Sequence, residues 1–317
     1  MIIRILFIHL IINLSLTVNT YAQENKTTFP VLRGPYLGQT PPGMTAKLFA
    51  PEVLSRYKHS FCSVFSPCGN EFYFVSDLNW DETGELVWMR KVNNTWQEPE
   101  VAPFNSEYTD NDICMSPDGY RIFWRSWRPL PGHNEPEERS YIWFCHRTES
   151  GWSKPQPVET ENGYLPAGYP SMSNNGSLYF GYRSDSNIGE GDIHLSRFVN
   201  GVFSKPVNLG APVNTKYSEG DMCVAPDESF LVVSCWRRPD NNGESDLYIS
   251  FRQSDGTWTE LINMGEAINN EENENCPMIS PDAKYFFFFR YDPNNKKSTT
   301  YWIDLKIIET LRPKGIK

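Results

Sequence analysis

Apolar and polar positions alternate along the chain in five similar stretches. In each stretch a short apolar run leads into a tight turn of the Ser-Pro-Asp-Gly type, and a run rich in aromatic and β-branched residues follows. The stretches read FSPCGNEFYF, MSPDGYRIFW, MSNNGSLYFG, VAPDESFLVV and ISPDAKYFFFF. The residue before the proline, or its equivalent, marks each stretch, and the marks are Ser66, Ser116, Ser173, Ala225 and Ser280. Successive marks are 50, 57, 52 and 55 residues apart, a period typical of stacked repeats whose units cannot bury their apolar faces alone.

Each unit predicts four β-strands. The apolar run is the first strand and the aromatic run is the second, because Pro, Asp and Gly favour a tight turn between them. A polar loop leads to a third strand such as DLYISFR or GDIHLSR, and another turn leads to a short fourth strand such as FSKPVNL. Four short antiparallel strands repeated around an axis make a β-propeller, an all-β architecture that protects its sheet edges.

The last unit lacks a fourth strand, and the N-terminal part of the chain offers a substitute. Residues 46–54, AKLFAPEVL, match the proline-containing fourth strand of the other units. We therefore predict a propeller of five four-stranded blades over residues 45–313, in which residues 49–53 pair with residues 301–304 and close the last blade. Six blades is the alternative, if residues 27–44 contain a degenerate unit. Residues 23–44 are otherwise a lead segment.

The first 22 residues predict a secretory signal peptide. They have one charge near the start, an apolar middle and a small residue at Ala22, as such peptides do. A membrane anchor is the alternative, but Asn13 and Asn19 interrupt the apolar run, and a span needs about 20 apolar residues. No later segment is apolar enough to cross a membrane. We therefore expect a periplasmic or secreted protein with no membrane span after cleavage.

The formal net charge of −10 narrows the range of partners. Non-specific nucleic-acid binding depends on Lys and Arg that neutralise phosphates, so the acidic balance argues against it. A protein or glycan of the cell envelope is the expected partner, and the protein is expected to be a monomer.

The seven cysteines are scattered, with no CxxC pair or other metal-like spacing. Cys62 and Cys276 occupy the same offset in the first and last units, so they could face each other and form a disulfide where a ring closes. Cys114 and Cys223 lie on strands predicted to be buried, where a thiol packs as a small apolar side chain.

The repeat resembles a known family. The SPDG turn, the aromatic strand, third strands such as DLYISFR from Asp246 and GDIHLSR from Gly191, and the W-x-x-P-type strand are similar to the WD-like repeats of TolB-type propellers. The likeness covers about residues 36–304 and implies an exported bacterial protein. TolB itself is a periplasmic partner-binding protein, whereas other propellers of this kind accompany peptidases or act as sugar lyases, so the fold implies no single activity.

One face of the predicted propeller carries the long loops, at residues 77–84, 127–140, 184–191, 236–245 and 291–299. Binding residues usually lie on such loops. Six residues before their marks, three units place the carboxylates Asp110, Glu219 and Glu274, and we expect these to contact a ligand together with Trp127 and Trp236, whose rings could stack on a sugar or peptide. Four residues before the marks stand Cys62, Asp112, Tyr169, Asp221 and Cys276.

Arginines at the ends of the second strands could compensate these acids. They are Arg125, Arg128, Arg183, Arg237 and Arg290. Three interpretations stay open: ion pairs and turn hydrogen bonds between blades, a site for a cation or cationic ligand, and a catalytic acid–base site.

No metal or cofactor motif is present. The loops from Asp77 and Asp185 superficially resemble oxygen-rich calcium loops, but neither has the Gly and Glu spacing of an EF-hand. Polar turn chemistry accounts for both, so no cofactor is expected and calcium is the remaining alternative. The sequence also contains no HExxH, GxSxG or Gly-rich phosphate loop.

Two functions fit the sequence. The first is a non-enzymatic module that binds a protein or glycan in the bacterial cell envelope. The second is a carbohydrate-active enzyme, a polysaccharide lyase or glycoside hydrolase, with its site at the central channel mouth. A lyase needs a His or Tyr base and an Arg beside a uronate carboxylate. The candidate catalytic residues are His59, Asp112, Tyr169, Arg183, Asp221 and Arg290.

Overall fold

The computed structural model describes residues 29–77, 84–185 and 187–316. The described residues from Val31 onward belong to one compact unit. The predicted signal peptide therefore lies outside the described residues. Among the residues that are described, no helix has the length and apolar character needed to cross a membrane.

The chain is an all-β propeller, and its described residues form six sheets. Five sheets carry the repeat marks, and we number them as blades 1 to 5. Blade 1 contains the strands His59–Phe65, Glu71–Asp77, Glu85–Val92, Thr95–Trp96 and Glu100–Val101. Blade 2 contains Asp110–Met115, Arg121–Ser126, Tyr141–Thr148, Gly151–Trp152 and Gln156–Pro157. Blade 3 contains Gly168–Met172, Leu178–Tyr182, Asp192–Ser196 and Val207–Asn208.

The last two repeat blades have the same order. Blade 4 contains Ser218–Val224, Phe230–Trp236, Ser245–Phe251 and Ile262–Asn263. Blade 5 contains Asn273–Ile279, Tyr285–Asp292, Lys297–Asp304 and, from the other end of the chain, Lys47–Leu48. Three short helices complete the structure: a 3-10 turn at Tyr36–Gly38 and α-helices at Pro51–Leu54 and Ile307–Leu311.

The prediction of five blades is wrong, and the alternative of six is the count that the structure has. The sixth sheet is small and consists of Glu159–Thr160, Gly163–Tyr164, Phe198–Val199 and Val202–Phe203. It does not come from the predicted place, since the described part of residues 27–44 contains only the 3-10 turn and an isolated bridge at Arg33. Its first hairpin lies between the marks Ser116 and Ser173, whose interval is the longest of the four.

The first strand of each repeat blade, which we call the inner strand, carries the same irregularity. All five inner strands shift register against the second strand just before the mark, in blade 4 one residue earlier than in the other blades. Four residues there have left-handed φ angles: Cys62 at 42°, Asp112 at 55°, Tyr169 at 54° and Cys276 at 47°. Such bulges re-aim a side chain. Each inner strand packs against those of the next blades, and the first packs against the fifth.

The serine of the repeat mark has a structural role. The hydroxyl of Ser116 accepts a hydrogen bond from the N–H of Arg121 at 2.8 Å, and the hydroxyl of Ser280 accepts one from Tyr285 at 2.9 Å. The serine side chain thus stabilises the turn, because its hydroxyl takes the place of a backbone acceptor for the N–H five residues later. This explains why the SPDG pattern recurs.

The N-terminal part of the chain closes blade 5, as predicted. Lys47 pairs with Trp302 and Leu48 with Tyr301 in antiparallel register, and the N–H of Phe49 donates to the carbonyl of Thr300 at 2.9 Å. The predicted pairing of residues 49–53 with residues 301–304 is wrong: the closing strand ends before Ala50, which adopts a left-handed φ of 43°, and a helix then begins at Pro51, the position where proline fits a helix start.

One predicted loop is also too long. Residues 291–299 are mostly strand, since Tyr285–Asp292 and Lys297–Asp304 pair with each other and leave a four-residue turn between them. The loop at residues 77–84 falls almost wholly outside the described residues.

Candidate functional site

The bulged residues of the inner strands meet around the axis of the five repeat blades. We call this ring the channel waist, and it consists of Cys62, Asp112, Tyr169, Asp221 and Cys276. Cys62 and Cys276 form a disulfide, which confirms the pairing that their shared offset suggested. An oxygen of Asp221 lies 3.1 Å from the sulfur of Cys276, and an oxygen of Asp112 lies 3.8 Å from the sulfur of Cys62.

The two waist carboxylates are buried, and burial raises the pKa of both. For Asp221 burial, followed by the charge of Asp112, raises the pKa to about 7. The pKa of Asp112 is raised by burial and opposed by Arg125, whose guanidinium lies 3.4 Å from a carboxylate oxygen. The charge of Asp221 and burial raise the pKa of Tyr169, so its hydroxyl stays protonated.

Two cavities adjoin the waist. The lower cavity, of about 390 Å³, lies toward the Pro-containing turns. Its apolar lining includes Met115, Met172, Met222 and Met278, with Cys114 and Cys223. The mouth cavity, of about 890 Å³, lies on the loop-bearing side and is lined by residues of blades 2, 3 and 4. Tyr169 and Asp221 line both.

The mouth cavity is rich in cations. Arg139, Arg183, Lys216 and Arg237 line it with exposed side chains. Within the part of the chain that the structure describes, none of the four forms an ion pair. Lys216 lies 5.2 Å from the ring centre of Tyr217, and a cation outside an ion pair is available to an anionic ligand.

Aromatic and acidic side chains complete the mouth cavity. The aromatic residues in its lining are Tyr169, Tyr182, Tyr217 and Trp236. Its carboxylates are the exposed Glu138 and Glu190 and the buried Glu219 and Asp221. Burial raises the pKa of both buried acids, because a low-dielectric surrounding disfavours the charged carboxylate.

The predicted catalytic set is only partly assembled. Tyr169, Arg183 and Asp221 line the mouth cavity. Asp112 lies in the waist, as Tyr169 and Asp221 do, but it is not in the lining of the mouth cavity. His59 lies elsewhere: it is fully buried, with Nδ1 3.0 Å from the hydroxyl of Ser298.

Arg290 is also outside the mouth cavity. Its Nε donates to Glu274 at 2.8 Å and its second amino group donates to the carbonyl of Ile268 at 2.7 Å. It holds a buried acid of its own blade and the connecting loop before that blade, whereas the ion-pair interpretation expected pairs between blades.

The three carboxylates predicted to contact a ligand serve the backbone instead. Each accepts a hydrogen bond from the N–H four residues earlier: Ser106 to Asp110 at 2.8 Å, Thr215 to Glu219 at 3.0 Å and Asn270 to Glu274 at 3.3 Å. The carboxylate of Asp110 also accepts a hydrogen bond from the guanidinium of Arg128 at 2.7 Å. Burial raises the pKa of Glu274 to about 8, against the opposing charge of Arg290. Of the three, Glu219 alone is in the mouth-cavity lining that the structure describes.

The two predicted tryptophans differ. Trp236 lines the mouth cavity. Trp127 is covered by the guanidinium of Arg125, which lies 4.3 Å from its ring centre and 5.4 Å from that of Tyr169. Arg125 is thus sandwiched between two aromatic rings, a favourable arrangement for a partly buried guanidinium.

Calcium at the two acidic loops stays a prediction, and the loop from Asp77 lies almost wholly outside the described residues. In the loop that begins near Asp185, the carboxylate of Asp192 accepts the N–H groups of Ile188 and Gly189 at 2.7 and 3.1 Å, which is turn chemistry. Among the described residues, metal-binding donors are grouped at the waist: Cys62, Asp221 and Cys276.

Sequence reasoning missed Arg139, Lys216, Tyr182 and Tyr217. Arg139 lies inside a loop that the sequence predicted on the binding face, so an arginine at that position could have been recognised as a candidate. Lys216 and Tyr217 lie in the connection before an inner strand, and no sequence pattern marks that connection.

Comparison with solved structures agrees with the geometry. A protein assigned as TolB from Agrobacterium tumefaciens matches with 16% identity over 78% of each chain and a TM-score of 0.51. The chain has a TolB-like β-propeller fold. A glycoside hydrolase matches with 10% identity over 91% of this chain and 93% of that chain, also with a TM-score of 0.51. No protein-family model matches the sequence, and no curated protein does either. At these identities the likeness establishes the fold alone.

Proposed function

We propose that the chain is an exported, non-enzymatic binding module of the bacterial cell envelope, and that its mouth cavity binds an acidic glycan. The observation that carries this proposal is the set of four cations without an ion pair, Arg139, Arg183, Lys216 and Arg237, around a cavity that also presents Trp and Tyr rings.

The side-chain chemistry suits a uronate-containing oligosaccharide. A guanidinium presents a planar fork of donors that matches a carboxylate, and such charge-assisted hydrogen bonds are the strong ones. Trp236 and the tyrosines offer flat surfaces for the apolar face of a sugar ring. A cavity of about 890 Å³ is in the size range of small-ligand sites.

Cavity shape favours a glycan over a folded protein as the ligand. A protein partner typically covers about 800 Å² of each surface, whereas the cations here converge in a concave site built from three blades. A sugar chain can enter such a site with its charged groups.

The negative charge of the whole chain does not oppose this interaction strongly. The net charge is −10, but charges are screened beyond about 8 Å at physiological ionic strength. Local cations therefore dominate the field at the mouth, and the acidic remainder of the surface favours entry of the ligand from that side only.

Paired variants test the proposal. Arg183→Gln/Arg237→Gln removes two mouth cations, and Lys205→Gln/Lys314→Gln removes two exposed cations that are not in the cavity lining. Calorimetric titration with a uronic-acid tetrasaccharide should show affinity at least tenfold lower for the first variant, since each charged contact contributes on the order of 1 kcal/mol. Equal affinity of the two variants would refute the assignment of the site.

The enzymatic alternative has one observation in its favour, which is that Tyr169, Arg183 and Asp221 share the mouth cavity. A lyase acting on a uronate polymer produces an unsaturated sugar that absorbs in the ultraviolet. If the wild-type protein increases the ultraviolet absorbance and Tyr169→Phe does not, the chain is a lyase and not a binding module. If the absorbance stays constant while the protein still binds the glycan, the binding module is supported.

A further inference from the structure

Four side chains with metal-binding atoms stand next to one another in the channel waist. In ring order they are Asp112, Cys62, Cys276 and Asp221, each from a different repeat blade. The ligand atoms of Cys62, Asp221 and Cys276 lie within 4.8 Å of one another, and an oxygen of Asp112 lies 3.8 Å from the sulfur of Cys62.

We propose that the channel waist binds a divalent cation of the zinc class when the Cys62–Cys276 disulfide is reduced, with both cysteines and Asp221 as ligands and Asp112 as the fourth. Asp221 lines both the waist and the mouth cavity, but none of the four cations that carry the glycan proposal is a proposed metal ligand, so the metal site does not depend on the proposed glycan binding.

The spacing of the donors fits a tetrahedral centre. Zinc–sulfur bonds of about 2.3 Å and zinc–oxygen bonds of about 2.0 Å place a sulfur and an oxygen about 3.5 Å apart at tetrahedral angles. The two sulfur–oxygen separations at the waist are 3.1 Å, for Cys276 and Asp221, and 3.8 Å, for Cys62 and Asp112. The two sulfurs must move apart from a disulfide whose Cα atoms are 5.1 Å apart. Asp112, which lies outside the group of donors within 4.8 Å of one another, must move closer to the other donors.

The surroundings orient the carboxylates as ligands. The second oxygen of Asp112 accepts from the N–H of Tyr169 at 3.3 Å and lies 3.4 Å from Arg125, which leaves the first oxygen facing Cys62. The N–H of Cys276 donates to Asp221 at 3.0 Å. Such outer partners fix ligand geometry in metal sites.

Charge also favours a cation. Asp112 and Asp221 are both nearly inaccessible to solvent, and one guanidinium, that of Arg125, faces the pair. Two thiolates would add further negative charge at the same place. Buried charge is costly unless it is paired or coordinates a metal.

The chemistry balances with an external dithiol as reductant. The dithiol transfers two electrons and two protons to the disulfide, the Cys62–Cys276 bond breaks, and the reductant becomes a cyclic disulfide. Binding of the cation then forms two metal–sulfur bonds and releases the two thiol protons to solvent. In the reverse exchange an external disulfide accepts the two electrons and is reduced to its dithiol, the Cys62–Cys276 bond re-forms, and the cation loses both thiolate ligands and is released.

Cobalt(II) is the probe, because tetrahedral thiolate coordination gives it intense visible absorption. The full chain is treated with dithiothreitol, freed of reductant and titrated with cobalt, then with zinc. The reduced protein should develop the tetrahedral spectrum, which zinc should abolish, and the oxidised protein should not. A spectrum typical of octahedral cobalt, no spectrum, or equal binding by the oxidised protein would overturn the proposal.

Variants separate the waist from the other thiols. Cys62→Ser/Cys276→Ser should lose the spectrum, and Asp221→Asn, which keeps both thiols, should bind cobalt at least tenfold more weakly. Cys114→Ser/Cys223→Ser is the matched control, because these thiols line the same lower cavity outside the waist, and it should bind as wild type does. If only the control variant lost cobalt binding, the metal would bind Cys114 and Cys223 rather than Cys62 and Cys276, and the proposal would be wrong. Circular dichroism verifies that each variant is folded.

Discussion

Cys62 and Cys276 are 214 residues apart in the sequence and are joined by a disulfide between the inner strands of blades 1 and 5. The pairing of Lys47 and Leu48 with Trp302 and Tyr301 connects the same two ends of the chain at the outer edge of blade 5. The ring of repeat blades is thus closed twice: near the axis by a disulfide and at the outer edge of blade 5 by a β-strand.

The covalent closure should contribute strongly to stability. In the chain-entropy description, cross-linking a loop of this length reduces the entropy of the unfolded chain by the equivalent of about 5 kcal/mol. We predict that Cys62→Ser/Cys276→Ser lowers the free energy of unfolding by this amount in denaturant titrations under oxidising conditions. Cys68→Ser, an exposed free cysteine, serves as control. An unchanged midpoint in the double variant would contradict the account.

The strand closure depends on Phe49. Its side chain is 1% exposed and contacts the rings of Phe65, Phe287 and Trp302. Phe49→Ala should lower the free energy of unfolding by about 3–5 kcal/mol, since it leaves a cavity between blades 1 and 5. The neighbouring Leu48 is 47% exposed, and Leu48→Ala should change stability by less than about 1 kcal/mol. Similar losses in both variants would mean that the segment acts through backbone pairing alone.

Asp110 should prove structural rather than ligand-binding. It is fully buried and receives hydrogen bonds from Arg128, Trp124 and the N–H of Ser106. Asp110→Ala leaves the Arg128 guanidinium buried without its partner, so a loss of about 3–5 kcal/mol is expected in thermal or chemical unfolding.

The control for Asp110 is the surface pair of Asp240 and Arg238, in which the acid is 55% exposed. Asp240→Ala should cost less than about 1 kcal/mol. If Asp110→Ala weakened glycan binding while stability stayed unchanged, the structural assignment would be wrong.

His194 should make stability depend on pH. The ring lies among Phe180 and Tyr182, and burial lowers its pKa below the usual 6.5. Below about pH 6.5 the unfolded chain therefore binds a proton that the folded chain does not, and the free energy of unfolding falls as the pH decreases, by at most about 1.4 kcal/mol per pH unit. Melting temperatures of wild type and His194→Gln between about pH 7.5 and 5.5 test this.

The buried His59, whose pKa burial also lowers, leaves part of the slope in the His194→Gln variant. The variant should still show a smaller acid destabilisation than wild type. Parallel curves for the two proteins would show that His194 ionises equally in the folded and unfolded chains.

The repeat made much of the fold predictable. Strand order, closure of the last blade by the N-terminal part of the chain and the pairing of Cys62 with Cys276 follow from equivalent offsets in units of similar sequence, although the closing strand is Lys47–Leu48 rather than residues 49–53. The five-blade prediction missed the sixth sheet, and the six-blade alternative placed the extra unit in residues 27–44, because the strands of this sheet are two residues long and carry no hydrophobic period. The sequence feature that indicates this sheet is the interval between the marks Ser116 and Ser173, which is longer than the others.

The site was less predictable than the fold. Offsets placed Asp112, Tyr169 and Asp221 correctly at the axis, since a repeated bulge aims equivalent side chains at one point. They could not show that Asp110 and Glu274 bond to their own connecting segments. Nor could they show that Lys216 and Arg139, from different blades, share one cavity. Such convergence depends on loop conformation, which no period determines.

The central claim is that the mouth cavity recognises the negative charge of a glycan. The most direct test is the dissociation constant of the wild-type protein for a uronic-acid tetrasaccharide, compared with that for the same tetrasaccharide as its neutral methyl ester. We predict at least tenfold tighter binding of the acid, with a difference that shrinks as salt is added. Equal affinity for the two forms, or no binding of either, would contradict the account.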